Sequence, residues 1–139
     1  MQIRRQSGWQ MRLCRYLATS ARTPFQDGQH DCALFAAGAV AAMTGVDLAE
    51  GWRGRYSTIR GGMRVLRKAG YEDHVAMAAA HLRERARQAG DTAQPGDLAV
   101  IPTDDGPALG VVQGVQVYVL RRDGLGLVPL SAAIRIFEV

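Results

Sequence analysis

The sequence predicts an α+β fold, with helices in the first two thirds and a small antiparallel sheet after them. Three observations carry that prediction. The apolar pattern keeps a helical period to about Ala89 and alternates beyond Gln94; the stretch Cys32 to Met43 is apolar throughout and bracketed by Asp31 and Gly45; and glycine-containing turns separate the short C-terminal apolar runs. With 139 residues, 47% of them hydrophobic and 22% charged, the chain is expected to form one domain over 1–139 with a real core.

Cys32 to Met43 is the expected spine. A helix without a polar face must be covered all round, and its length is too short to cross a bilayer, so no membrane span is expected. Asp31 is the N-cap and Gly45 the C-terminal stop. Cys32 then sits in the first turn, where unpaired N–H groups and the helix dipole favour a thiolate, against the plainer reading of a buried cysteine that fills space. Before the spine, Trp9, Leu13, Tyr16 and Leu17 share one face of a helix from about Ser7 to Thr19, with arginines opposite. Thr23 to Gly28 breaks that pattern with turn residues.

After Gly45 the segment Val46 to Tyr56 reads as a loop. Its Trp52, Arg53, Arg55 and Tyr56 form a candidate grip for a ligand or partner, against the plainer reading of a loop tied down by its own Trp and Tyr. Ser57 is expected to cap a third helix running to Ala69, weakened by Gly61 and Gly62. Asp73 caps a fourth, to about Ala89 with Gly90 after it; His74 and His81 share a face there and read as surface residues. Leu98–Ile101, Leu109–Gln113, Val115–Leu120, Leu125–Leu130 and Ile134–Val139 are the expected strands, with Pro95-Gly96-Asp97, Asp104–Pro107, Gly114 and Arg121–Gly124 as turns.

The net charge of +4 comes almost wholly from arginine, since Lys68 is the only lysine. The arginines run from Arg4 to Arg135 without a dense block or an aromatic-rich basic stretch, which excludes a nucleic-acid platform. Cys14 and Cys32 have neither metal-knuckle nor disulfide-framework spacing, so a disulfide between them is allowed but not required, and no metal or cofactor is expected. Gln6-Ser7-Gly8-Trp9-Gln10 follows Arg4 and Arg5 where a signal peptide needs an apolar run, so synthesis in a cytoplasm without a cleaved export signal is expected.

A loop with Pro24, Phe25 and Gly28, then Asp31-Cys32 opening a buried helix, then Pro95-Gly96-Asp97-Leu98 before a strand and Gly110 in the next: this order resembles the NlpC-type, papain-like cell-wall peptidases. More narrowly, His30-Asp31-Cys32, Thr44-Gly45-Val46-Asp47 and Arg53-Gly54-Arg55-Tyr56 resemble an uncharacterised family of small phage and prophage proteins, typically encoded near tail-tip genes. The resemblance runs from about Trp9 to the C-terminus. It implies a papain-like fold with Cys32 at the nucleophile position.

In those peptidases a histidine near the start of the second strand takes the thiol proton, and a polar residue on the next strand orients it. Here the corresponding run is Ala108-Leu109-Gly110-Val111, an ungapped reading places Leu120 at the orienting position with Gln116 and Tyr118 as polar groups in a shifted register, and no histidine follows His81. The resemblance therefore implies a structural or interaction component of a phage tail tip or baseplate, located in the virion tail among other tail proteins. The alternative is an active cysteine peptidase or amidase cutting peptidoglycan, with Cys32 as nucleophile, His30 as a local base and Asp31 or Asp27 as its partner, or with His74 or His81 as base where either faces the first turn of the spine. A third reading makes Cys32 and His30 two ligands of a metal completed by another chain.

Overall fold

The computed structural model describes residues 3–86 and 92–139. Its centre is helix α2, Cys32–Thr44, which Asp31 caps and Gly45 ends with φ 79°. The covering expected of an all-apolar helix is largely present: nine of its 13 residues are buried, while Cys32, Gly38, Ala41 and Ala42 stay part-exposed. Phe35, Ala39, Val40 and Met43 meet Leu13 and Leu17 of α1 (Trp9–Arg22) and one face of the sheet. Ala33, Leu34 and Ala37 meet Trp52, Leu66 of α3 (Ile59–Lys68) and Met77 of α4 (His74–His81). Close approach of α1 depends on Gly38, where a Cβ would stand 2.2 Å from the Tyr16 hydroxyl; that hydroxyl donates to the Phe35 carbonyl at 2.8 Å.

The described strands are β1 (Arg83–Glu84), β2 (Leu98–Thr103), β3 (Gly106–Gln113), β4 (Gln116–Arg121), β5 (Gly124–Pro129) and β6 (Arg135–Glu138). They form one six-stranded antiparallel sheet in the order β1-β6-β2-β3-β4-β5. The pleat divides it cleanly. Leu98, Val100, Leu109 and Val111 face the helices, whereas Ala99, Ile101, Ala108 and Val112 face the opposite way, under Leu130 and Ala132 of a 3-10 turn. Both faces are buried, so the four described helices and the sheet make the predicted α+β architecture. No helix among the described residues is long and apolar enough to cross a membrane.

Most element ends shift by one or two residues from expectation, and four differences are larger or change a role. Helix α1 runs on to Arg22, Thr58 rather than Ser57 caps α3 by accepting from the Gly61 N–H, and β3 starts at Gly106. The largest correction is the fourth helix, which ends at His81; its expected stretch 87–89 and the stop at Gly90 lie outside the described residues. Leu82 turns extended and Arg83–Glu84 pairs with Glu138 and Phe137. Tertiary partners override a helix-compatible sequence here, because Arg83 reaches Glu138 at 2.5 Å and Arg135 makes two bonds to Glu84 at 3.0 and 2.8 Å.

Asp97 locks this edge. Fully buried, its carboxylate accepts from Arg85 at 2.7 Å, from the Gln94 N–H at 2.8 Å, from the Val139 N–H at 3.3 Å and from Arg5 at 3.4 Å. It thereby joins the N-terminal arm, the residue after β1, the turn before β2 and the C-terminus. Replacing it with Ala leaves the Gln94 and Val139 N–H groups without this acceptor and takes the buried carboxylate from Arg85 and Arg5, which keep Glu138 at 3.9 Å and the Val139 carbonyl at 2.8 Å, an expected cost of about 3–5 kcal/mol. Urea denaturation should show a much lower midpoint at an unchanged slope; a loss below about 1 kcal/mol would contradict this role for Asp97.

Candidate functional site

The site is built where the lead-in loop, α2 and the loop after it converge on Asp31. One oxygen of this buried carboxylate accepts from the Leu34 N–H at 2.9 Å, the cap itself. The other accepts from the Gly28 N–H at 3.0 Å and from the Tyr56 hydroxyl in a short hydrogen bond. Gly28 has φ +82° and passes so close to the second loop that a Cβ would lie 1.8 Å from the Tyr56 carbonyl oxygen; its own carbonyl accepts from the Gly54 N–H at 3.1 Å. Glycine is required there by both conformation and space.

The candidate grip residues divide between packing and surface. Trp52 is buried and stacks on Tyr56 with ring centroids 6.1 Å apart, while Arg53 makes two 2.9 Å bonds to Asp47. Arg55 is exposed and has no ion pair among the described residues. The cluster therefore fastens its own loop and presents Tyr56 to Asp31.

Cys32 opens α2 and packs against the apolar group on the far sheet face, which includes Ala99, Ile101 and Ala108. Burial, then the adjacent Asp31 charge, pushes its thiol up to about 11. Backbone groups of Leu109, Ala33 and Cys32 itself act in the opposite direction. The helix-terminus effect expected from the sequence is thus present and outweighed.

His30 lies elsewhere. Its ring meets the edge of Phe35 at 6.3 Å and an interplanar angle of 87°, on the α1 side of the spine, and its Nε2 is buried without a partner. Burial lowers its pKa, with the Ser20 backbone and Asp31 opposing. Among the described residues no hydrogen bond joins Cys32 to any histidine, and no group of His, Cys, Asp and Glu is arranged to hold a metal.

His74 is the histidine brought to the spine's first turn. As the first residue of α4 it bonds through Nε2 to the Pro107 carbonyl at 2.8 Å, one residue before Ala108. It lines a cleft of about 200 Å3 together with Asp31, Tyr56, Asp73 and Asp105, over an apolar floor of Phe25, Ile59, Met63 and Leu66. Burial lowers its pKa and holds the imidazole neutral. His81 points to a separate partner, the Tyr71 hydroxyl, at 3.1 Å. From sequence both read as surface residues, with either a base only where it faces the first turn of the spine; His81 is exposed, and His74 is the one that lines the cleft. The available signal was that Asp73 caps α4, which puts His74 at the end of an element, where side chains reach neighbouring strands.

The chain belongs to a family described as a domain of unknown function, DUF6950, which it matches over residues 4–139. A search of curated proteins finds no match.

His30 and His74 both sit below the ordinary 6.5 in the folded chain. Below that value the unfolded chain binds more protons than the folded one, so stability is full above it and falls as pH drops toward the folded-state pKa values. Each fully shielded histidine contributes up to about 1.4 kcal/mol per pH unit, and a half-buried one less. Urea midpoints should decline between about pH 7 and 5.5, and the combination of His30→Phe with His74→Gln, whose amide can still donate to Pro107, should flatten that decline. An equally steep decline in the double variant would refute the assignment.

Proposed function

We propose that this chain is a structural and interaction module on a papain-like, NlpC-type scaffold, serving in a phage tail tip or baseplate. The observation that carries the non-hydrolytic reading is the setting of Cys32: its thiol packs on apolar side chains, burial and Asp31 disfavour its thiolate, and among the described residues no histidine is hydrogen-bonded to it. Thiol hydrolysis needs a thiolate and a group that returns the proton to the leaving amine. His30 turns toward Phe35, and Ala108 occupies the strand position where the resembled peptidases carry their base. A buried helix opening on Cys32 and packed on an antiparallel sheet supports the papain-like scaffold. The tail assignment draws its support from the resemblance of His30-Asp31-Cys32 and Arg53-Gly54-Arg55-Tyr56 to tail-associated proteins.

A second reading, an active cysteine hydrolase, draws on His74, whose neutral imidazole shares the cleft with Asp31 and bonds beside Ala108. The two readings separate in one assay. Incubated with purified peptidoglycan, the chain should release no new amino termini, and Cys32→Ala should leave that result unchanged. Release that disappears in both Cys32→Ala and His74→Gln, by roughly a hundredfold or more for the latter, would establish the hydrolase instead. Mass spectrometry of virions from a phage encoding the chain should find it in purified tails; its absence there would contradict the tail role.

A further inference from the structure

Two surface features of opposite charge share one apolar border on α3. On one side is the cleft, whose rim carries Asp73 and Asp105, without an ion pair among the described residues, and Asp27, which meets Arg122 at 3.6 Å; the Asp31 carboxylate lies buried beneath them with its oxygens taken by Gly28, Leu34 and Tyr56. On the other side Arg60, Arg64 and Arg67 stand exposed, also without an ion pair among the described residues. Their spacing puts them along one helix face, beside a shallow depression of about 530 Å3. Ile59 and Met63 line both features, and Ile59 is 53% exposed.

A surface arranged as acidic cleft, apolar stripe and basic ridge is complementary to itself. Rotation about a two-fold axis along the stripe brings the left side of one copy opposite the right side of the other, and the stripe opposite itself. We propose that a second copy of this chain docks on this face about such an axis, the Arg60, Arg64 and Arg67 ridge of each copy entering the acidic cleft of the other around paired Ile59 and Met63 side chains. The net charge of +4 on each copy opposes association only weakly, because charges farther apart than the Debye length of about 8 Å are screened at physiological salt. What decides the contact is the local pattern. A ten-residue helix and a cleft rim form a small interface, so the dimer is a weak and salt-sensitive one. Docking also covers His74 and the mouth of the cleft, and it is independent of whether Cys32 reacts.

Sedimentation velocity of the full chain, from micromolar to millimolar concentration, tests this. The expected result is a concentration-dependent shift from monomer to dimer at low salt that recedes as salt rises. Reversal of the ridge in Arg60→Glu/Arg64→Glu, or of the cleft in Asp27→Lys/Asp105→Lys, should raise the dissociation constant at least tenfold. Mixing the two reversed variants should restore a dimer, since each ridge then meets a cleft of opposite sign at both halves of the interface. Circular dichroism verifies that the variants are folded, and Asp105→Lys alone replaces the cleft variant if the loss of the Asp27–Arg122 pair disturbs it. A wild-type chain that stays monomeric throughout would overturn the proposal. So would a dimer indifferent to both reversals, or a mixture of the reversed variants that stays monomeric.

Discussion

The carboxylate of Asp31 is the constraint on which the central helix and its surroundings depend. It satisfies an otherwise orphaned N–H at the start of α2, holds Gly28 of the lead-in loop, and receives the Tyr56 hydroxyl from the loop that follows the helix. Two of these contacts come from three residues either side and the third from Tyr56, 25 residues on, so the geometry at the head of the spine is fixed from several directions. The same charge has a chemical consequence. Lying next to Cys32, it adds to burial in disfavouring a thiolate, so a pKa of about 11 leaves roughly one thiol in ten thousand ionised at neutral pH. The interaction that builds the scaffold thus acts against nucleophilic use of the residue it positions.

Much of this architecture is legible in the sequence because it rests on local chemistry. Asp31, Gly45 and the apolar run between them specify a capped, largely enclosed helix without reference to distant residues. Alternation of apolar residues and the glycines at 106, 114 and 124 specify the strands and turns of the C-terminal half in nearly their observed places. The end of α4 is different. Arg83 and Glu84 are acceptable helix residues, and only Glu138 and Arg135, more than fifty positions away, draw them into a strand. Long-range charge pairing has no local signature.

The site shows the same division. Cys32 and Asp31 are recognisable from their position at a helix start, whereas Tyr56 reads from sequence either as part of a grip or as a tie for its own loop, with nothing to name Asp31 as the group it turns to. His74 reads as a surface residue, yet a capped helix start delivers it to the Pro107 carbonyl. His30, two residues from Cys32, is the histidine nearest in sequence and meets Phe35 instead. Proximity along the chain is a poor guide at a helix N-terminus, where successive side chains leave in different directions. The cleft consequently joins an acidic rim and a neutral imidazole to an apolar floor, chemistry suited to recognition, while the thiol lies against the sheet.

The measurement that bears most directly on this account is a titration of Cys32 by ultraviolet thiolate absorbance, made in a Cys14→Ser background because Cys14 is exposed. The account predicts ionisation centred near 11, with the thiol silent at neutral pH. Ionisation at or below the ~8.5 of a free cysteine would contradict it, and would show that the helix terminus overcomes both burial and the Asp31 charge.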